Sequence, residues 1–162
     1  MPKKRDKRKS SDINGNEKKF FFFITLTCFI FILDRYTKIL SKFWDGCFIF
    51  CIRYSTNYGA AFNLLSGFKW TRIFLIFVAI MVMFFTAFFY FRNKDFNYFN
   101  IGLILLFAGT LANLFDRIYF GHVIDWLTFP FPFPTFNLAD VSNFFGAIIL
   151  ILSLLENKLL NF

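Results

Sequence analysis

The sequence predicts an α-helical integral membrane protein: four transmembrane helices with a small extracytoplasmic β-rich loop. Three observations carry this. Hydrophobic residues make up 57% of the 162 positions and charged residues only 17%, against about a quarter charged in soluble domains. The apolar residues gather in four segments near the roughly 20 residues that a membrane helix needs. Basic residues concentrate in a polar N-terminus, where residues 1–19 hold eight of the eighteen Lys and Arg.

Residues 1–19, MPKKRDKRKSSDINGNEKK, lack apolar periodicity and read as a disordered basic cytoplasmic tail. Such a tail orients the first helix by the positive-inside bias and can touch anionic lipid. A nucleic-acid-binding arm is the disfavoured alternative. The four-helix membrane domain then spans 20–157, and 158–162 form a short cytoplasmic C-terminal tail.

The first span is expected at Phe20–Leu40, with Asp34 and Lys38 in its last turns. It reads as a retained helix, because no small-x-small cleavage site follows it. The first outer loop offers two short candidate strands, Phe48–Tyr54 and Ala60–Leu65, separated by Asn57-Tyr58-Gly59. Gly59 suits a turn and close backbone approach. The second span is Trp70–Phe91, without a charge after Arg72. The third is Phe99–Phe115 and the fourth Phe136–Leu155. A soluble bundle would need polar faces that the second and third segments lack. Between the last two spans, FPFPFP at 129–134 precludes regular helix.

With the N-terminus in the cytoplasm, both termini lie inside. Inner segments then carry eleven Lys and Arg and outer segments seven, the sign the bias requires. Asp34, Lys38, Asn57, Asn113, Asp116, Arg117, Asp125, Asn137 and Asp140 all fall at the outer membrane face, though scattered along the chain. A carboxylate near hydrocarbon is costly and points to function. Asp125 and Asp140, fifteen positions apart, suggest an aspartyl centre that shares one proton and activates water. Spacing alone does not decide which two of the four acids react.

Supporting roles are also suggested. Gly109 and Asn113 are four apart and Asn113 and Asp116 three apart, so they share a helix face. Asp34 and Lys38 are one turn apart and suit an ion pair. Arg117 is expected to pair with Asp116 or Asp34, to hold a lipid phosphate, or to snorkel. His122 is the sole His, with no partner at metal-ligand spacing, so neither a metal nor an organic cofactor is expected. Cys47 and Cys51 allow a disulfide or two free thiols.

The strings DRYTK at 34–38, NYGAAF at 57–62, GTLANLFDR at 109–117, GHVID at 121–125 and FNLAD at 136–140 resemble the lipoprotein signal peptidase (signal peptidase II) family. The resemblance spans residues 22–155, with Tyr58, Trp126 and Asn143 as departures from the usual pattern. It implies that Asp125 and Asp140 are the catalytic pair. It implies that Asp34, Lys38, Asn57, Gly59, Asn113, Asp116, Arg117 and Asn137 bind substrate or support the site. It further implies a bacterial inner-membrane aspartyl endopeptidase, functional as a monomer and without a cofactor. Its substrates would be diacylglyceryl-modified prolipoproteins, cut before the lipidated Cys, with membrane phospholipid as surroundings and no nucleic acid. A proton-coupled carrier and an inactive lipoprotein-binding protein are the competing readings. The one-sided placement of the acids opposes the first, and the intact Asp pair opposes the second.

Overall fold

The structure, a computed structural model, describes residues 3–60, 63–93, 96–130 and 134–159. In order these form α1 (Lys3–Leu40), β1 (Gly46–Cys47), β2 (Cys51–Asn57), α2 (Thr71–Arg92), α3 (Tyr98–Tyr119), β3 (Val123–Thr128) and α4 (Leu138–Leu159). Four stretches are long and apolar enough to cross a bilayer: Gly15–Leu40, Thr71–Arg92, Tyr98–Tyr119 and Leu138–Glu156. The protein is therefore an α-helical multi-span chain with a minor β region. The expected spans are found within a few residues, and α3 runs one turn further than expected. Asp116 and Arg117 thus belong to the helix proper, because other protein groups satisfy them in place of water.

α1 begins at Lys3, inside the segment expected to be a disordered tail. Lys, Arg and Glu are good helix formers, and a helix already nucleated in the span extends through them at little cost. Residues 160–162 of the expected C-terminal tail lie outside the described residues, as do 61–62 of the NYGAAF string and 131–133 of FPFPFP.

α3 is the most buried span and packs against α1, α2 and α4. Its contact with α4 depends on Gly109. A Cβ there would lie 2.4 Å from the Ala139 carbonyl oxygen and 2.5 Å from Asn143 Oδ1, so only glycine lets the start of α4 come this close. Phe23, Tyr90, Leu103 and Ile104 form the apolar core toward the other end. There the Tyr90 hydroxyl donates to the Lys19 carbonyl at 2.8 Å. Outward-facing Phe77, Phe84 and Phe88 remain exposed, as suits a surface solvated by lipid tails rather than water.

The connections between α1 and α2 and between α3 and α4 build a three-stranded antiparallel sheet, ordered β1-β2-β3. β2 pairs with β3 in the register Asn57↔Val123 and Ser55↔Asp125, with an irregularity between Ile52 and Ser55. This corrects the two-strand expectation. Phe48–Phe50 are not strand but the turn between β1 and β2, with Cys47 and Cys51 joined as a disulfide. Ala60–Leu65 does not supply the partner strand either. Asn63 (φ 57°) and Leu65 (φ 66°) have left-handed backbone, which no strand accommodates. Ala60 N–H instead closes on the Leu64 carbonyl at 2.8 Å. β3, from a segment read as plain loop, takes that place.

Candidate active site

The polar residues spread over residues 34–140 converge where α1, α3, β3 and the start of α4 meet. α4 begins with a reciprocal cap. Asn137 Oδ1 accepts the Asp140 backbone N–H at 2.9 Å, and Asp140 Oδ2 accepts the Asn137 N–H at 3.1 Å. The cap fixes the Asp140 carboxylate beside the helix N-terminus, where negative charge is favoured. Its other oxygen, Oδ1, accepts from Asn113 Nδ2 at 2.8 Å.

Asp125 projects from β3 and is 2% exposed. Its Oδ1 accepts from Asn137 Nδ2 at 2.7 Å, and its Oδ2 from Asn57 Nδ2 at 3.0 Å. Asn137 thus touches both carboxylates, one through its side chain and one through its backbone. Asn113 Oδ1 accepts from Asn137 Nδ2 and from Lys38 Nζ, each at 3.2 Å. Burial pushes the Asp125 carboxyl up from its ordinary 3.8 to about 6. The nearby Asp140 charge adds to the rise, while the Asn57 and Asn137 amides oppose it.

Asp34 and Asp116 are wholly buried, at 0% exposure, and differently held. Lys38 Nζ lies 2.8 Å from Asp34 Oδ2 and 2.7 Å from Asp116 Oδ2. Arg35 spans the same two acids, 2.8 Å from Asp34 Oδ2 and in close contact with Asp116 Oδ1. The four acids therefore divide. Asp34 and Asp116 are neutralised by two cations. Among the described residues, Asp125 and Asp140 enter no ion pair and accept only amide N–H groups.

Gly59 and Arg117 close one side of the site. Asn57 Oδ1 accepts the Gly59 N–H at 2.9 Å. A Cβ on Gly59 would lie 2.1 Å from the Leu64 carbonyl oxygen, so glycine is required for the turn. Arg117 does not pair with Asp116 or Asp34, one of the three roles open to it from the sequence. Its guanidinium donates to the carbonyls of Gly59 at 3.1 Å and Asn113 at 3.4 Å, tying the loop to α3. The ion-pairing role belongs to Arg35, which sequence reasoning passed over. The available signal was the place of Arg35 in the same outer turn of α1 as Asp34 and Lys38.

The geometry has counterparts in known proteins. Residues 26–156 match the family described as Signal peptidase (SPase) II. The lipoprotein signal peptidases of Staphylococcus aureus strains JH9 and Newman are each 34% identical over 154 residues, covering 86% of this chain and 93% of theirs. A bacterial membrane enzyme solved by the in meso method at 2.3 Å superposes with a TM-score of 0.77 at 29% identity, over 85% of this chain and 89% of that one. A second such enzyme, at 1.9 Å, gives 0.72, over 83% of this chain and 92% of its own. With its fold and its sequence in agreement, this chain belongs to the signal peptidase II family of membrane aspartic endopeptidases.

Proposed function

We propose that Asp125 and Asp140 form the catalytic pair and that the enzyme removes the signal peptides of diacylglyceryl-modified prolipoproteins, cutting before the lipidated Cys. The partition of the four acids carries this reading. Asp34 and Asp116 each meet both Arg35 and Lys38 in ion pairs, so their oxygens are already engaged by cations. Asp125 and Asp140 are held by amides that orient a carboxyl without neutralising it.

Two neighbouring carboxyls in a dry site favour a state with one shared proton. The ionised member draws a proton from water. The protonated member donates a hydrogen bond to the scissile carbonyl oxygen, which becomes the oxyanion. Water attacks the carbonyl carbon directly, forming a tetrahedral intermediate without an acyl-enzyme. Collapse breaks the C–N bond, and the carboxyl that took the water proton returns it to the leaving amine. Water and two carboxyls carry every proton, so this chemistry uses no metal or organic cofactor.

The site sits at the ends of the spans rather than in mid-membrane. A lipid-anchored Cys is held at that depth, so binding energy from the lipid can position the peptide bond. The basic N-terminal segment places both termini in the cytoplasm and the site at the outer face. The Cys47–Cys51 disulfide, on the same side as the site, suits an oxidising compartment.

The test is cleavage of purified diacylglyceryl-modified prolipoprotein by reconstituted wild type, Asp125→Asn and Asp140→Asn, with the new N-terminus read by mass spectrometry. Wild type is expected to cut before the modified Cys, and both variants to lose cleavage while still binding substrate. Cleavage retained by either variant overturns the pair. Equal cleavage of the unlipidated precursor overturns the substrate class.

A further inference from the structure

The ion-paired acids do more than neutralise charge. Asp34 Oδ1 accepts the backbone N–H of Ala139 at 3.0 Å, and Ala139 immediately precedes Asp140. Asp116 Oδ2 accepts the backbone N–H of Ile124 at 3.3 Å, and Ile124 immediately precedes Asp125. Each paired acid therefore grips the backbone one residue before one member of the proposed catalytic pair. Asp34 is on α1 and Asp116 on α3, so the distance between the grips depends on what joins those helices.

Two cations join them. Lys38 is a point charge whose stem allows its ammonium to drift. Arg35 is a rigid planar fork, with one terminal nitrogen on each acid. Its guanidinium also lies 5.9 Å from the Phe31 ring centre and 5.2 Å from that of Phe115. Those rings meet edge to face at 5.4 Å, one from α1 and one from α3. Without Arg35, two buried carboxylates would share one ammonium, and the uncompensated charge would draw the acids apart or take up a proton. In either case the grips on Ala139 and Ile124 would change.

We propose that Arg35 is a positioning residue for both Asp125 and Asp140, acting through Asp34 on the start of α4 and through Asp116 on β3. The proposal rests on the reading of those two aspartates as the reacting pair. Arg35 touches neither carboxyl and takes no proton. It sets the separation and aim of both.

The test is steady-state cleavage of lipidated prolipoprotein by Arg35→Ala, Arg35→Lys, Asp34→Asn and the double variant Arg35→Ala/Asp34→Asn, each assayed well below its own melting temperature. Arg35→Ala is expected to lower kcat about tenfold with KM within about twofold of wild type, the pattern of lost orientation rather than lost binding. Arg35→Lys keeps the charge without the fork and should recover part of kcat. In the double variant the losses should fall short of multiplying, because both residues act through one contact. Wild-type kcat in Arg35→Ala, or losses that multiply in the double variant, would overturn the proposal. If Arg35→Ala does not fold, the kcat of Arg35→Lys decides: a value equal to wild type overturns the need for a fork. Asp125→Asn in the same preparation separates the two readings. Activity in that variant sinks the catalytic pair itself. Its inactivity beside a fully active Arg35→Ala sinks only the role of Arg35.

Discussion

Asp125 is held in the folded protein at a pKa of about 6, against an ordinary 3.8, and that difference has a thermodynamic consequence. Between those two values the folded state binds more protons than the unfolded one, so stability falls as pH rises through this window. The contribution is fully present below about 4 and lost above about 6, a cost on the order of 2 kcal/mol at neutral pH. Asp125→Asn removes it. The variant is expected to melt above wild type at pH 7.5, with the gain vanishing toward pH 4, as thermal unfolding in detergent would show. Asn137 should behave in the opposite way. Its side chain serves Asp125, Asn113 and the Asp140 N–H at once. Asn137→Ala is expected to lower kcat at least about a hundredfold and to cost about 1 kcal/mol as a lost cap, checked by cleavage kinetics beside a melting curve. At this scale the sequence showed side chains well and backbone poorly. Asn137 and Asn113 stood out because an amide in an apolar run needs a partner. The N–H groups of Ile124 and Ala139 have no residue-type signature. Arg35 was hidden because a cation near a helix end reads equally well as one that snorkels.

The element that places Asp140 is the first turn of α4, fixed from below by its reciprocal cap and from the side by α3. Gly109 sets that lateral distance. Gly109→Ala puts a methyl 2.4 Å from the Ala139 carbonyl oxygen, and the helices must separate. A loss of about 2 kcal/mol and a fall in kcat are expected together, measurable as a lower melting temperature and slower cleavage. The helices were legible because a membrane span writes its length in hydropathy. β3 was not, because VIDWLT gains its strand identity from β2, more than sixty residues away along the chain. The mistaken strand at Ala60–Leu65 had the right residue types, but the Gly59 turn curls it back on itself before it can pair.

Taken whole, three helices and the sheet deliver groups to one end of the molecule, and α2 supports that end through Arg72, which donates to the Arg117 and Ile118 carbonyls at 2.8 and 3.1 Å. The one-sidedness was visible from span counting alone, since residues at alternate span ends share a face. It yields an orientation test. In intact bacterial cells, a membrane-impermeant maleimide is expected to leave Cys47 and Cys51 unlabelled until a reductant opens their bond, and then to label both from outside, read as a mass shift. Labelling only after the membrane is breached would invert the topology. The charge cluster has a further consequence, for the order in which the protein is made. Asp34, Arg35 and Lys38 enter the bilayer with α1, and Asp116 arrives later with α3. The four charges balance, two against two, before α4 has been synthesised. Only the Ala139 N–H comes later. Once α3 and β3 have left the ribosome the chain can therefore already shelter its most costly groups, and α4, which brings Asp140, docks onto a neutral seat.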